Sequence, residues 1–127
     1  MVITSIDVRL VSIPLEHPYV FSRGSVASFD NIIVFVHTSS GLTGVGECIA
    51  EPLVADVGKA GRIIQDVLAL RIVGKDPSAI ESIIQDCRPY VGESRSTLAA
   101  IDLALWGPAR QDIRCSRACP LGWKVHR

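Results

Sequence analysis

The residues in this 127-residue chain that could do chemistry are few and scattered. Glu47 closes the segment GVGE, and Asp102 lies inside the apolar run AAIDLALW. A lone carboxylate on a helix can answer a backbone or arginine donor on a docked neighbour. Acid–base catalysis would need a second titratable group beside it, and the positions around Asp102 offer none. Glu47 reads first as a strand-end hydrogen-bond acceptor and second as a binding group. His17 and His37 are isolated, and His37 ends a β-branched run, where a hydrogen-bonded structural imidazole is commoner than a catalyst. Cys115-x3-Cys119 with His126 lacks a fourth ligand and typical zinc spacing, so incidental cysteines are the better reading. GLTGVGE lacks the third glycine and the following helix of a dinucleotide-binding turn, and VGKD lacks the upstream glycine and the hydroxyl of a phosphate loop.

The elements that must carry these residues follow from hydrophobic period. SIDVRLVSIPL alternates Ile6, Val8 and Leu10 against Asp7 and Arg9, then changes parity to Val11 and Ile13, which predicts a half-buried strand with a bulge near residue 11, ended by Pro14 and Pro18. EHPYVFSRGSVASFD has no period and is expected to be a long loop. NIIVFVHT predicts a buried strand, SSGLTG a turn with Gly41 at positive φ, and TGVGECIA a third strand, together an antiparallel meander. The period then changes to that of helices. Val57, Ile64, Val67 and Leu68 share one face of the first, which Gly58 and Gly61 weaken at its start. Asp76 as N-cap with Pro77 at the first position opens a second helix, whose Ile80, Ile83, Ile84 and Cys87 share a face. Leu98, Ile101 and Leu105 define the third, with Ala99, Ala100 and Ala104 permitting close approach. Three strands followed by three helices make an α+β domain.

Hydrophobic residues make up 48% of the chain and charged residues 20%, a balance that fits a folded protein of one domain. No apolar run approaches a membrane span and the N-terminus does not read as a signal peptide, so the expected compartment is the cytoplasm. Zero net charge gives no global pointer to nucleic acid or an anionic membrane. That zero hides an asymmetry, since residues 1–106 hold 8 Lys/Arg against 12 Asp/Glu while residues 107–127 hold 5 against 1. At Trp106 the apolar period also stops, so the chain divides into a domain at 1–106 and a basic tail at 107–127.

Read in order, VSIPLEHPY, NIIVFVHTSSGLTGVGE, IVGKDPSAIE and AAIDLALW resemble the N-terminal capping domain of the enolase superfamily, in its muconate lactonizing enzyme and mandelate racemase branch. The resemblance covers roughly residues 3–106. It implies a cap over a (β/α) barrel that would follow it. In that family the barrel abstracts a proton α to a carboxylate and holds the enolate on Mg²⁺. Cycloisomerase or epimerase chemistry is favoured over racemase or dehydratase chemistry by the PYVF loop and the PL…P lead-in. No catalytic group and no metal ligand falls within these residues, so the chain alone is expected to be inactive, to lack the barrel as its partner, and to expose apolar surface and aggregate. The family is usually homo-oligomeric, and its substrates are small carboxylates.

Two cap loops map by position onto Tyr19 to Ser28 and about Glu47 to Pro52. In them Arg23 is either a partner for a substrate carboxylate or a solvated loop charge. Phe21 and Ile49 would be apolar walls, with Glu47 and Glu51 as further candidate substrate-binding positions.

The tail departs from the family pattern D-L-x-G-K-x-x-G-x-P-V-x-x-L-L-G-G. Back-translated and shifted by one base, residues 107–123 fit that pattern at every position. The codons of Gln111 and Asp112 must then give Lys or Arg where the family has Lys, and those of Trp123 and Lys124 must give Gly. A one-base frameshift near the codons of Trp106 and Gly107 is the expected origin of the tail. The competing expectation is a stand-alone α+β binding module whose basic tail contacts an acidic partner or nucleic acid.

Overall fold

The computed structural model describes residues 1–49, 57–92 and 94–115, with the backbone alone over 112–115. Strands β1 (Ile3–Phe21), β2 (Gly24–Thr38) and β3 (Thr43–Ile49) form one antiparallel sheet in the order β1-β2-β3. Helical segments follow. Helix α1 (Val57–Arg62) runs through a π-wound stretch (Ile63–Leu68) into α2 (Ala69–Ile72). Then come α3 (Ile80–Cys87), a 3-10 turn (Arg88–Tyr90) and α4 (Arg95–Cys115). The α+β meander with helices after it is the architecture that the alternation and the change of period predict.

All helices gather on one face of the sheet. The inward residues of β1 and β2, among them Ile6, Ile32, Val34 and Val36, meet Ala60, Ile64, Leu68 and Ile72 in a core that α3 and α4 complete with Ile83, Cys87, Ile101 and Leu105. In the first helical run the buried positions 60, 64, 68 and 72 recur every four residues. A straight α-helix would drift off line at that spacing, whereas the wider π turns between 63 and 68 keep the row facing the sheet.

Helix α4 lies on β3 differently, backbone to backbone. The inward residues of β3 are Gly44, Gly46 and Cys48, and the helix presents Ala100 and Ala104. A Cβ at Gly46 would stand 1.8 Å from the carbonyl oxygen of Ala100, and one at Gly44 would stand 1.7 Å from that of Ala104. Glycine is required there because the helix backbone occupies the volume of a side chain. The glycines that resemble a phosphate-binding turn in sequence therefore serve close packing.

The structure corrects several expectations. The β1–β2 register is unbroken from Ser5 to Pro14, so no bulge falls near residue 11; it shifts instead between Ile3 and Ser5 and between Pro14 and Tyr19. Val11 and Ile13 keep the parity of Asp7 and Arg9, and so point to the open face, at 39% and 47% exposure. The stretch expected as a long loop is the distal part of a β-hairpin, closed by Ser22 and Arg23 between the paired Phe21 and Gly24. Pro14 and Pro18 do not end β1, because it is an edge strand with its prolines at a register shift, where no ladder donor is needed.

Asp76 does not cap a helix. Its Oδ1 accepts from the backbone N–H and hydroxyl of Ser78, both at 2.8 Å, and Ala79 N–H closes a turn on the Asp76 carbonyl at 3.1 Å. That turn delays α3 to Ile80, and Pro77 is buried inside it.

The helical period lost at Trp106 in the sequence continues in the backbone to Cys115. Pro108 lacks the N–H that would bond the Ala104 carbonyl, and that carbonyl faces Gly44 of β3 instead. Pro108 and Ala109 are buried there, which carries the helix through a residue that would otherwise break it.

Candidate functional site

The open face of the sheet and the far end of the β1–β2 hairpin bear the residues that sequence analysis singled out. Glu47 is exposed on the outer face of β3, and its Oε1 accepts a 2.5 Å hydrogen bond from Asn31 Nδ2 on β2. Asn31 is 6% exposed and its Oδ1 has no partner among the described residues. The strand-end hydrogen bond expected of Glu47 is thus present, and it fixes the carboxylate two residues before β3 ends. Ile49, the last residue of β3, is 53% exposed and pairs with Asn31. Glu51 lies outside the described residues.

At the other end, Phe21 is half-buried and closes β1, and Arg23 is exposed in the two-residue turn. Phe21 stacks on Tyr19 with ring centroids 6.1 Å apart, and Tyr19 packs at 6.1 Å on Phe29 of β2. These contacts hold the hairpin tip together beyond the register shift. Tyr19 and Phe29 were missed as partners in sequence because the stretch has no period; the register pairs them with Val26 and Ile13, and they meet across the hairpin. Phe21 and Arg23 are not brought against Glu47 and Ile49. Asn31, level with Ile49, is seven residues from Gly24, roughly 23 Å along β2. The candidates form two patches along one surface.

His37 is the structural imidazole that its position suggested. Its Nδ1 lies 2.9 Å from Thr43 Oγ1 on β3 and its Nε2 lies 3.0 Å from Asp7 Oδ2 on β1, so one side chain ties all three strands. Phe35 stacks against the ring. Asp102 is half-buried on α4 and makes no hydrogen bond to a described residue. Beside it, Leu103 at 53% and Trp106 at 41% are exposed on the face of α4 turned away from the sheet.

Among the described residues, two groups are displaced in pKa. The Ser78 backbone and hydroxyl donors hold Asp76 below the usual carboxylate range. Burial pushes the Cys87 thiol up. Both belong to the framework. Among the described residues no group of three His, Cys, Asp or Glu could hold a metal ion, so the Mg²⁺ implied by resemblance finds no fitting ligand set here. No helix among them is long and apolar enough to cross a membrane.

A three-stranded meander with its helices on one face, an open outer face and a projecting hairpin defines an α+β domain. The sequence profile of the family described as "Mandelate racemase / muconate lactonizing enzyme, N-terminal domain" matches residues 4–114, and the chain belongs to that family. It is 30% identical over 106 residues to an N-succinyl-L-Arg/Lys racemase of Bacillus cereus, which covers 82% of this chain and 29% of the racemase. It is 28% identical over 107 residues to muconate cycloisomerase 1 of Rhodococcus opacus, covering 81% and 29%. The dipeptide epimerase of Enterococcus faecalis V583, solved with Mg and the dipeptide L-Leu-L-Tyr, superposes with a TM-score of 0.83 at 26% identity over 90% of this chain and 32% of that one. The chain thus spans less than a third of the length of these relatives, and corresponds to their N-terminal domain.

Proposed function

We propose that these residues form the cap of a Mg²⁺-dependent enolase-type enzyme that removes a proton α to a carboxylate, of epimerase or cycloisomerase type, and that they carry no turnover of their own. The observation that supports this most is the projecting hairpin: its tip presents Arg23 and Phe21 away from the core, where only a further domain could give them a substrate to meet. Phe21 and Ile49 supply apolar wall. Arg23 offers a permanently charged fork to a substrate carboxylate, an interaction that strengthens once the closed site excludes water. Glu47, held by Asn31, places a carboxylate two residues before β3 ends. The exposed Leu103 and Trp106 on α4 form the apolar face on which the barrel packs. The metal would polarise the carboxylate from barrel ligands.

We also propose that residues from 107 onward are read one base out of frame. The fit of the shifted codons over 107–123 supports this, including the forced Lys or Arg and the forced Gly. One experiment tests both readings. Sequencing the DNA from the codon for Ala99 through about a kilobase downstream should reveal, in the shifted frame, a barrel with spaced Asp and Glu and a Lys-x-Lys. The restored full-length protein should then epimerise dipeptides or cyclise muconates, while the 127-residue chain should not. A downstream region with no barrel in any frame overturns the proposal.

A further inference from the structure

Asn31 stands on the outer face of β2, between Val11 of β1 and Ile49 of β3 in one cross-strand row. It is only 6% exposed, although both of its row partners are exposed. Chemistry fixes how its amide is turned. A carboxylate only accepts, so the nitrogen must face Glu47 and Oδ1 must turn away from it. That oxygen is buried, and no described residue donates to it. A buried acceptor left without a donor costs free energy that an incoming N–H would recover. Glu47 lies diagonally across the β2–β3 ladder and is exposed, and Asn31 takes up only its Oε1. Oε2 has no cationic partner among the described residues. Arg9 shares the row of Glu47, but on the far edge strand, two strand spacings of about 4.8 Å away.

We infer that Asn31 Oδ1 and Glu47 Oε2 together bind the head of a primary alkylammonium or alkylguanidinium group, whose stem lies on Val11 and Ile49. The two oxygens select that class of ligand. A neutral donor would serve Oδ1 and leave the charge of the carboxylate unanswered. A divalent metal asks for about six oxygens and would find two. A cation that carries several N–H donors serves both oxygens at once, through charge-assisted hydrogen bonds. The exposed apolar pair beside Asn31 favours a head group borne on a methylene chain over a small inorganic ion, since the stem then covers Val11 and Ile49 while the charge stays on the oxygens. The inference deepens the cap reading and rests on it for the natural ligand: the substrate group that meets this end of β3 is an amine or a guanidine.

Titration of the 127-residue chain with butylammonium and with tetramethylammonium, followed by proton–nitrogen NMR correlation spectra, tests the inference. Butylammonium should shift the side-chain amide of Asn31 and the backbone amide of Glu47 in a saturable way. Tetramethylammonium carries the same charge without an N–H donor, and should bind roughly tenfold more weakly. Glu47→Gln keeps an acceptor for Asn31 Nδ2 and removes the charge. It should weaken butylammonium binding by roughly tenfold and leave the rest of the spectrum in place. No saturable shift, an equal response to the two cations, or a Glu47→Gln variant that binds like the wild type would each overturn the inference. The measurement needs no barrel, so its failure is distinct from that of the cap reading. A barrel found downstream with no shift at Asn31 keeps the cap and removes the site, whereas a saturable shift with no barrel downstream keeps the site and removes the cap.

Discussion

Helix meets sheet in two places in this molecule, by opposite means. Along β1 and β2 the first helical run packs through side chains, with Ile64, Leu68 and Ile72 set against Ile32, Val34 and Val36. Along β3 the sheet offers Gly44 and Gly46, and α4 lays its own backbone on them. A side-chain interface can absorb a change of volume by moving rotamers. A backbone seam has no such freedom, because its contact atoms belong to the secondary structure itself. The first interface should therefore respond to substitution by degrees, and the second all at once.

The largest effect should come from the seam. Gly46→Ala places its Cβ within 1.8 Å of a carbonyl oxygen, which forces α4 off the sheet; the expected loss is at least about 3 kcal/mol, the upper end of overpacking, and a chemical denaturation curve would show it. A native-like stability for that variant would break the contrast. At the side-chain interface, Ile64→Ala should cost about 2–4 kcal/mol through lost burial and a partly collapsed cavity, with the cooperative transition retained.

Smaller effects should appear in the response to pH. The Cys87 thiol is pushed up by burial, so the unfolded chain loses its proton at a lower pH than the folded one. The stability this gives is complete below the unfolded pKa near 9 and is lost as pH rises through the folded value. Cys87→Ala should flatten the alkaline limb of a melting-temperature profile. At the acid end, Asp76 is held low, so its contribution is present above the unfolded value near 3.8 and fades as pH falls through the folded one. Asp76 is exposed, and Asp76→Asn should change only the foot of the acid limb. The smallest effect belongs to Gly61, where an added Cβ meets Val8 at 3.7 Å and Leu10 at 3.9 Å, ordinary contact distances. Gly61→Ala should stabilise by about 0.5–1 kcal/mol through helix propensity, in contrast to the same change at Gly46.

What was legible in the sequence is what local period encodes. Ile80, Ile83, Ile84 and Cys87 turn to the core as their spacing requires, and so do Ile101 and Leu105. The alternation of Thr43, Val45, Glu47 and Ile49 against Gly44, Gly46 and Cys48 was equally open to reading as a strand. The glycines' purpose was not, because it depends on a helix more than fifty residues later. The hairpin was missed for a related reason. Tyr19, Phe21 and Phe29 have no common period; the register pairs Tyr19 with Val26 and Phe29 with Ile13, on either side of the shift after Pro14, and Tyr19 reaches Phe29 across it. Asn31 was invisible as the anchor of Glu47 until the β2–β3 register was known. The candidate cap positions came from the family resemblance alone, since the periodic signal left that stretch as a loop.

The backbone seam between β3 and α4 also makes a mechanical unit of the domain. Ala100 sits at Gly46, Ala104 at Gly44, and Gly107 at the start of β3, so α4 leaves the sheet at the end opposite the hairpin tip. From Thr38 to Gly24 the strand extends roughly 46 Å at about 3.3 Å per residue. If the tip is the working end, as proposed above, such a body is a lever with its pivot at the chain's exit from α4. A rotation of about five degrees there would sweep the tip through roughly 4 Å, the width of a methyl group, with no strand or helix deformed.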